Sequence, residues 1–218
     1  MSTKDRILDT AERLFSRDGF EATSLRAITA EAQVNLAAVN YHFQSKEALV
    51  RAVIGRRMGP VNEKRIALLD ACEAAAGTGP LPLESVLDAF VGPVLEISRT
   101  HAKEFGPLMG RLYTEPGEFI KHVYKEHLEE VANRFLAAFQ RALPDLPPAD
   151  LMWRMHFAIG VMTHTMGAGR LLQSLSHGLC NPTDVEATLP RIKAFLLAGL
   201  TAPASTPAST KEMQHATQ

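Results

Sequence analysis

Apolar residues recur three and four positions apart along most of this chain, and this spacing constrains the fold more than any other feature. An α-helix brings residues at those separations onto one face, so each such segment predicts an amphipathic helix. No segment alternates apolar and polar residues for long enough to predict a β-strand. The sequence therefore predicts an all-α fold.

The N-terminal part predicts four helices with recognisable ends. Their candidate N-caps are Thr3, Thr23 or Ser24, Asn35 and Ser45. Gly19 is expected to end the first helix, and the third should be the short segment Leu36 to Phe43. Pro60 should kink or interrupt the fourth, because proline lacks the amide hydrogen that an interior helical position donates.

Beyond a loop at residues 77–82, further helical patterns begin near five positions. These are Glu84, Ala102, Gly117, Pro148 and Asp184. The helix over 148–176 carries the most information about the C-terminal region. The final segment, 201–218, has Met213 as its one large apolar residue. We therefore expect an N-terminal domain over 1–50, a larger helical domain over 51–200 and a disordered tail over 201–218.

Composition places the chain among soluble globular proteins. Hydrophobic residues make up 46% and charged residues 22%, and no apolar run is long enough to span a membrane. The N-terminus, MSTKDRILDTAERLF, contains acids and predicts neither a signal nor a transit peptide. A cytoplasmic protein is expected, with Cys72 and Cys180 as small, buried, reduced side chains.

Two short helices separated by three or four residues and braced by a third follow the helix-turn-helix plan. In that plan the second short helix lies in the major groove of double-stranded DNA, and the first crosses the phosphate backbone. No acidic residue occurs between Glu31 and Glu47, which suits a surface that approaches phosphate. The alternative is that the polar residues near Asn40 form the rim of a helical interaction protein that does not bind DNA.

The third helix carries residue types that can contact DNA. Val39 and Phe43 should face the core, while Asn40 can form paired hydrogen bonds to adenine. Small side chains before Asn40 permit close approach to base edges, and the polar residues after it can reach phosphate. The predicted DNA-binding residues are Thr23, Ser24, Arg26, Leu36, Ala37, Ala38, Asn40, Tyr41, His42 and Lys46.

The C-terminal region offers a second site of a different kind. A stripe of soft apolar side chains on the 148–176 helix should face aromatic and methionine residues of the preceding helices. Either this stripe is ordinary core or it lines a cavity for a small hydrophobic or amphipathic effector. The predicted ligand-binding residues are Phe105, Met109, Leu112, Tyr113, Met155, Ile159 and Met162.

The last two helices should join two copies of the chain in a four-helix interface. Small residues one heptad apart on the first and an apolar seam on the second permit close helix approach. The predicted dimer-interface residues are Gly160, His164, Gly167, Val185, Leu189, Ile192 and Leu196.

Catalytic and metal sites are not predicted. His156 and His164 lie eight positions apart on one helix, which separates them by about 80° around the axis and about 12 Å along it. The chain contains no HExxH, CxxC, glycine-rich phosphate loop or nucleophile elbow. We expect no cofactor and no enzymatic activity.

The segment ATSLRAITAEAQVNLAAVNYHFQSKEAL resembles the DNA-binding part of TetR-family transcriptional regulators, and the resemblance covers about residues 3–58. It implies an all-helical homodimer that binds operator DNA and is released, as a repressor, by an effector. The family usually has glycine where this chain has Gln33. If the turn keeps a positive φ, a non-glycine residue there costs on the order of 1 kcal/mol of stability. Glycine is also frequent at position 37 and tyrosine at position 40, so base preference should differ.

Two shorter segments, VNLAAVNYHF and LPPADLMWRMHF, resemble the PsrA-like branch, which responds to fatty acids. That resemblance implies a fatty acid or acyl-CoA effector. Its acid head would meet Arg111, Arg154, His156 or Arg170 at the mouth of the cavity. Another hydrophobic or aromatic molecule is the alternative effector.

Overall fold

The described residues of the computed structural model, 1–101, 104–114 and 118–204, are helical, with turns and loops between the helices. The helices are α1 (Thr3–Asp18), α2 (Leu25–Ala32), α3 (Leu36–Phe43), α4 (Lys46–Ala76), α5 (Leu83–Thr100), α6 (Phe105–Thr114), α7 (Glu118–His127), α8 (Glu129–Ala142), α9 (Pro148–Gly167), α10 (Gly169–Leu175) and α11 (Val185–Thr201). The all-α prediction is confirmed. Of the predicted disordered tail, residues 205–218 lie outside the described residues.

Side-chain caps set where the N-terminal helices begin. Ser24, Asn35 and Ser45 accept hydrogen bonds from amides three residues on and begin α2, α3 and α4. The cap of α1 is Ser2 and not Thr3, so that prediction is wrong. The reason is a capping box, in which the Ser2 hydroxyl accepts from the Asp5 amide at 3.1 Å and the Asp5 carboxylate accepts from the Ser2 amide.

Helix α4 continues through Pro60, so the predicted interruption does not occur. Its 31 residues make a rod about 46 Å long. Pro60 is exposed, whereas Met58 and Val61 on either side of it are buried. Helix α4 packs against α1, α5, α7 and α8, and this packing outweighs the missing backbone hydrogen bond.

The helix expected over 148–176 is two helices, α9 and α10, separated by Ala168. Ala168 has φ −103° and ψ 12°, which is outside helical geometry. Gly169 lies close to Pro182, since a Cβ on the glycine would stand 3.2 Å from the proline Cβ. The chain therefore turns at this point to meet the segment that leads into α11.

Two groups of buried side chains form the core. One joins α1, α2 and α3 to the first part of α4 and to α6 and α7, and the other lies among α5, α8, α9 and α11. Helix α4 contributes to both, with Val53 in the first group and Leu69 in the second. The predicted domain boundary at residue 50 therefore falls within one continuous helix.

The two cysteines are free, as expected, but they are not buried side chains. Cys72 is half-buried and Cys180 is exposed in the loop before α11, so the expectation of burial is wrong. None of the helices in the described ranges is long and apolar enough to cross a membrane.

Candidate nucleic-acid interface and effector cavity

Helices α2 and α3 form a helix-turn-helix with three residues between them. The turn depends on Gln33, whose φ of 53° and ψ of 48° place it in the left-handed region usually occupied by glycine. Ile28, Val39 and Phe43 are buried against the remainder of the N-terminal core. This packing fixes the face that α3 presents outward.

The outward face of α3 carries most of the predicted DNA-binding residues. Leu36, Ala37, Asn40 and Tyr41 are exposed, and Tyr41 is 84% exposed. Ala38 and His42 are half-buried at the edge of this face. On α2, Arg26 and the cap residue Ser24 are also exposed, and they flank the same surface.

Thr23 is buried and cannot contact DNA directly, so it is removed from the predicted set. It is 2% exposed, and its hydroxyl donates to the Gly19 carbonyl at 2.7 Å. Lys46 is half-buried, and its ammonium donates to the Glu21 carbonyl at 2.9 Å. An ammonium has three donors, so a phosphate contact by Lys46 stays a prediction.

Helix α1, which packs against α2 and α3, is hydrogen-bonded to helices of the remaining structure. Glu12 is 2% exposed, and its carboxylate accepts hydrogen bonds from Arg56 and Arg57 of α4, each at 2.6 Å. From α6, Arg111 donates to the carbonyls of Ser16 and Arg17 at 3.1 and 2.7 Å, near the C-terminal end of α1. Charged hydrogen bonds therefore link α1 to both α4 and α6.

A cavity of about 290 Å³ lies among α4, α5, α6, α7, α8 and α9. Its lining residues are Met58, Arg65, Phe90, Val94, Phe105, Met109, Tyr113, Tyr124, Leu128, Ala132, Asn133, Leu136, Met152, Met155, His156, Ile159, Met162, Thr163 and Met166. Six of the seven predicted ligand-binding residues are among them. The exception is Leu112, which is buried in the N-terminal core and leaves the predicted set.

One charged side chain in the lining was not found from the sequence. Arg65 of α4 is 7% exposed, and its guanidinium lies 4.7 Å from the centroid of the Phe90 ring and 4.8 Å from that of Phe135. Burial lowers the pKa of Arg65 to about 10, so it remains charged at neutral pH. No Asp or Glu occurs among the described residues that line the cavity.

The residues expected to meet an acid head at the cavity mouth have mixed outcomes. Arg111 binds the end of α1, and Arg154 donates to the Leu200 and Pro203 carbonyls, so neither lines the cavity. His156 does line it and is exposed. The side chain of Arg170 lies outside the described part of the chain.

A separate apolar surface lies on α9 and α11. Trp153, Phe157 and Phe195 are 62%, 59% and 67% exposed, and the Trp153 and Phe157 rings stack with centroids 5.8 Å apart. The groove between these helices is bordered by Gly160 and Gly199. We name this surface, comprising Trp153, Phe157, Gly160, Phe195 and Gly199, the α9–α11 face.

The predicted dimer-interface residues divide between this face and the protomer's own core. Gly160 and His164 are exposed, but Ile192 and Leu196 are 6% and 5% exposed and pack within the second core group. Val185 and Leu189 are half-buried against the same group. The apolar seam of α11 therefore faces inward toward α5, because that helix covers it, and Phe195 and Gly199 occupy the outer side.

Gly167 also has a role within one protomer. It lies beside Gly106 of α6, and a Cβ on Gly167 would stand 3.6 Å from the Gly106 carbonyl oxygen. A Cβ on Gly106 would come within 2.4 Å of the Met166 carbonyl oxygen, so α6 can approach the end of α9 only with glycine there. A Cβ at Gly167 would therefore be in ordinary van der Waals contact with α6 of the same protomer.

The described residues contain no group of three or more His, Cys, Asp or Glu side chains arranged to hold a metal ion. His156 borders the cavity, whereas His164 does not.

Comparison with protein families gives two matches that together cover most of the chain. Residues 7–53 match the family described as bacterial regulatory proteins, tetR family. Residues 88–199 match the family described as tetracyclin repressor-like, C-terminal domain. The first match contains α2 and α3, and the second contains most of the cavity.

Individual proteins resemble the chain to different extents. The nicotine-responsive transcriptional repressor HdnoR of Paenarthrobacter nicotinovorans is 27% identical over 146 residues, 65% of this chain and 73% of HdnoR. The probable regulator YttP of Bacillus subtilis is 41% identical, but the alignment spans 54 residues, 25% of this chain and 26% of YttP. The fatty acid degradation regulator FadR of Bacillus halodurans shares the fold, with a TM-score of 0.63 and 15% identity over 89% of this chain and 98% of FadR.

Proposed function

Because the chain belongs to the tetR family of bacterial regulatory proteins, we propose that it represses transcription as a homodimer until a small amphipathic effector enters its cavity. Family membership confirms the prediction of a DNA-binding transcriptional regulator over an enzyme. Repression is the expected mode because an operator-bound dimer blocks polymerase. HdnoR, which aligns with 65% of this chain, is itself a repressor.

The outward face of α3 is the observation that carries this function. Asn40 and Tyr41 project from a helix whose opposite side is buried, and α3 carries no acidic residue. Such a helix can enter the major groove with Asn40 directed at a base edge and Tyr41 at the backbone. Arg26 and the Lys46 ammonium would then meet phosphates on either side of the groove.

Two copies are needed to read a palindromic operator, and their reading helices must lie about 34–36 Å apart. The α9–α11 face is the surface that we propose joins them. It exposes three large aromatic side chains next to glycines that allow backbones to approach. Exposed apolar patches of this kind usually mark protein interfaces.

The effector is proposed to be a molecule with a long apolar part and a polar head. The cavity is lined mainly by methionine, phenylalanine and leucine side chains, with Arg65 as its buried charge. FadR, which shares the fold, regulates fatty acid degradation, which supports a lipid. HdnoR responds to nicotine, which favours an aromatic effector instead. Nicotine is a base that is protonated at neutral pH, however, and Arg65 would repel such a cation.

Release of DNA is proposed to pass through α6. Phe105, Met109 and Tyr113 of α6 line the cavity, while Arg111 on the same helix binds the end of α1. A ligand that displaces α6 therefore changes the position of α1 and the spacing of the two reading helices. If the ligand favours the non-binding spacing about a hundredfold, it supplies roughly 2.7 kcal/mol against operator binding.

The test of the DNA-binding face is footprinting on the DNA that flanks the protein's own coding region. Replacing Asn40 by alanine should weaken discrimination at one base position by about 1–3 kcal/mol, because its paired hydrogen bonds are lost. Lys46→Ala should weaken all sequences alike and flatten the salt dependence. Wild-type affinity for the operator in both variants, at several salt concentrations, would contradict the assignment of α3 to the groove.

A further inference from the structure

Arg65 is a cation in a position where cations are uncommon. It is 7% exposed, while its neighbour Lys64 is half-exposed and forms an ion pair with Glu96. Taking a charged group out of water is unfavourable unless a counter-charge and hydrogen-bond partners replace the lost hydration. Arginine is almost never fully buried without such a partner.

The described surroundings of Arg65 supply only part of that replacement. Phe90 and Phe135 offer the faces of their rings, and Asn62 accepts a hydrogen bond from Nη1 at 3.4 Å. The Nε donor is buried and has no hydrogen-bond partner among the described residues. Among the described residues no carboxylate forms an ion pair with Arg65, and none lines the cavity that it borders. The wall of the cavity therefore holds a positive charge that is poorly compensated.

We infer that Arg65 anchors the negatively charged head of the effector and that the cavity selects carboxylates over neutral and cationic amphiphiles. This inference rests on the proposed function, in which the cavity is the effector site. A carboxylate can accept two parallel hydrogen bonds from a guanidinium, and here it would provide the missing acceptor and counter-charge together. The head would enter the interior of the cavity, not its mouth.

The size of the cavity limits the length of the apolar part. Its volume of about 290 Å³ is near the lower end of the range of about 300–1,000 Å³ for small-molecule sites. A medium-length chain fits this space, with Met155 and Met162 able to adjust around it. A coenzyme A thioester has no free carboxylate at the end of its chain, so the free acid is the expected ligand.

The first experiment compares three ligands of equal chain length with the wild-type protein by titration calorimetry. Decanoate should bind about ten- to a hundredfold more tightly than methyl decanoate, since a charged hydrogen-bonded pair is lost in the ester. Decylamine should bind more weakly than either. Equal affinity for decanoate and its methyl ester, or no binding of decanoate, would overturn the assignment.

The second experiment changes Arg65 itself. Arg65→Met should abolish the preference for the acid over its methyl ester, and Arg65→Lys should retain part of the preference. Arg134→Met is the matched control, because it removes the same charge from an arginine that pairs with Asp70 and Glu73 outside the cavity. An undiminished acid preference in Arg65→Met would overturn the inference.

The outcome stays decisive if Arg65→Met fails to fold, because the wild-type ligand series and Arg65→Lys test the same preference. Footprinting of the ligand-free protein on its operator separates this inference from the proposed function. A protein that prefers decanoate but protects no DNA would contradict the regulator, whereas one that protects DNA without preferring the acid would contradict the role of Arg65.

Discussion

At the scale of single residues, the energetic position of Arg65 explains why a ligand would matter to it. A pKa lowered to about 10 corresponds to a burial cost of about 3 kcal/mol for the cation, taking 1.36 kcal/mol for each pKa unit. Contacts with the Phe90 and Phe135 rings offset part of that cost, and no carboxylate among the described residues that line the cavity offsets the remainder. The ligand-free protein therefore retains a net cost that a bound carboxylate would remove.

This balance predicts that Arg65→Met increases the free energy of unfolding of the ligand-free protein by about 1 kcal/mol. Methionine fills similar space without a charge and can contact the two rings through its sulfur. Urea denaturation of both proteins at pH 7 measures the difference. The sign can be checked with pH: the folded wild type loses the Arg65 proton before the unfolded chain does. The destabilising contribution of Arg65 should therefore decrease above about pH 10, and the stability difference between wild type and Arg65→Met should narrow. A variant less stable than the wild type would show that the guanidinium is mainly structural.

A second residue-scale effect concerns the turn between α2 and α3. Gln33 has φ 53°, as the resemblance implies for a position that is usually glycine. Gln33→Val should lower the free energy of unfolding by about 1 kcal/mol or more relative to Gln33→Gly, because a β-branched residue is strained at positive φ. Thermal denaturation of the pair measures it. Equal stabilities would mean that the turn relaxes to another conformation.

Residue positions were predictable from the sequence where a helical period alone decides them. Asn40 and Tyr41 are exposed because Val39 and Phe43 are buried on the same short helix. Arg65 was not predictable, since the rings that cover it come from α5 and α8 and no local pattern reports them. For the same reason, helical periodicity placed Leu112 and Ile192 on the apolar faces of their helices but did not reveal which neighbouring helix covers each face.

At the scale of elements, helix starts were predictable where a cap marks them. Ser24, Asn35 and Ser45 are local features, and α2, α3 and α4 begin beside them. The separation of α7 from α8 was not predicted from the sequence. The break occurs at Leu128, and no proline or glycine marks that position. Such a break arises from packing, since Leu128 is buried in the N-terminal core.

The proposed transmitting element, α6, gives a prediction about coupling. Arg111→Met should leave decanoate binding unchanged but reduce the effect of decanoate on operator affinity about tenfold, because the charged hydrogen bonds to α1 are lost. Titration of the ligand in the presence and absence of operator DNA gives this coupling.

Arg141→Met is a matched control for that variant. Arg141 also donates to backbone carbonyls, at Gly77 and Gly79, but it lies on α8 away from α1. Coupling should remain at the wild-type value in this control. Wild-type coupling in Arg111→Met would mean that α4, and not α6, carries the change to α1.

At the scale of the whole molecule, the N-terminal part of the chain, which contains α2 and α3, is more positively charged than the remainder. Residues 1–60 contain nine Lys or Arg and seven Asp or Glu, whereas the remaining residues contain fourteen and seventeen. The difference is small, so attraction to DNA depends on where the charges lie and not on the total. Helix α3 packs in the first core group, whereas α9 and α11 pack in the second. A dimer formed through the α9–α11 face would therefore leave the two α3 helices accessible to DNA.

We expect the wild-type protein to have the molecular mass of two chains in solution throughout the micromolar concentration range. Phe195→Glu should dissociate the dimer, because a carboxylate would be buried against the aromatic residues of a second copy. Leu68→Glu is the control, since Leu68 is also exposed but lies on α4 outside this face. Sedimentation velocity distinguishes the two masses. A monomeric wild type, or a dimeric Phe195→Glu, would place the interface elsewhere.

Because α4 continues through Pro60, one helix connects the end of α3 to the part of the cavity wall that contains Arg65. Arg65 stands 20 residues beyond Ser45, which begins the helix directly after α3. Those residues span about 30 Å, so a tilt of about 5° around Arg65 would carry the start of α4 sideways by about 2.6 Å. In a symmetric pair the two displacements add, and the distance between the α3 helices would change by up to about 5 Å against a groove spacing of about 34–36 Å. A small tilt of α4 would thus convert an angular change within the core into a misfit at the DNA.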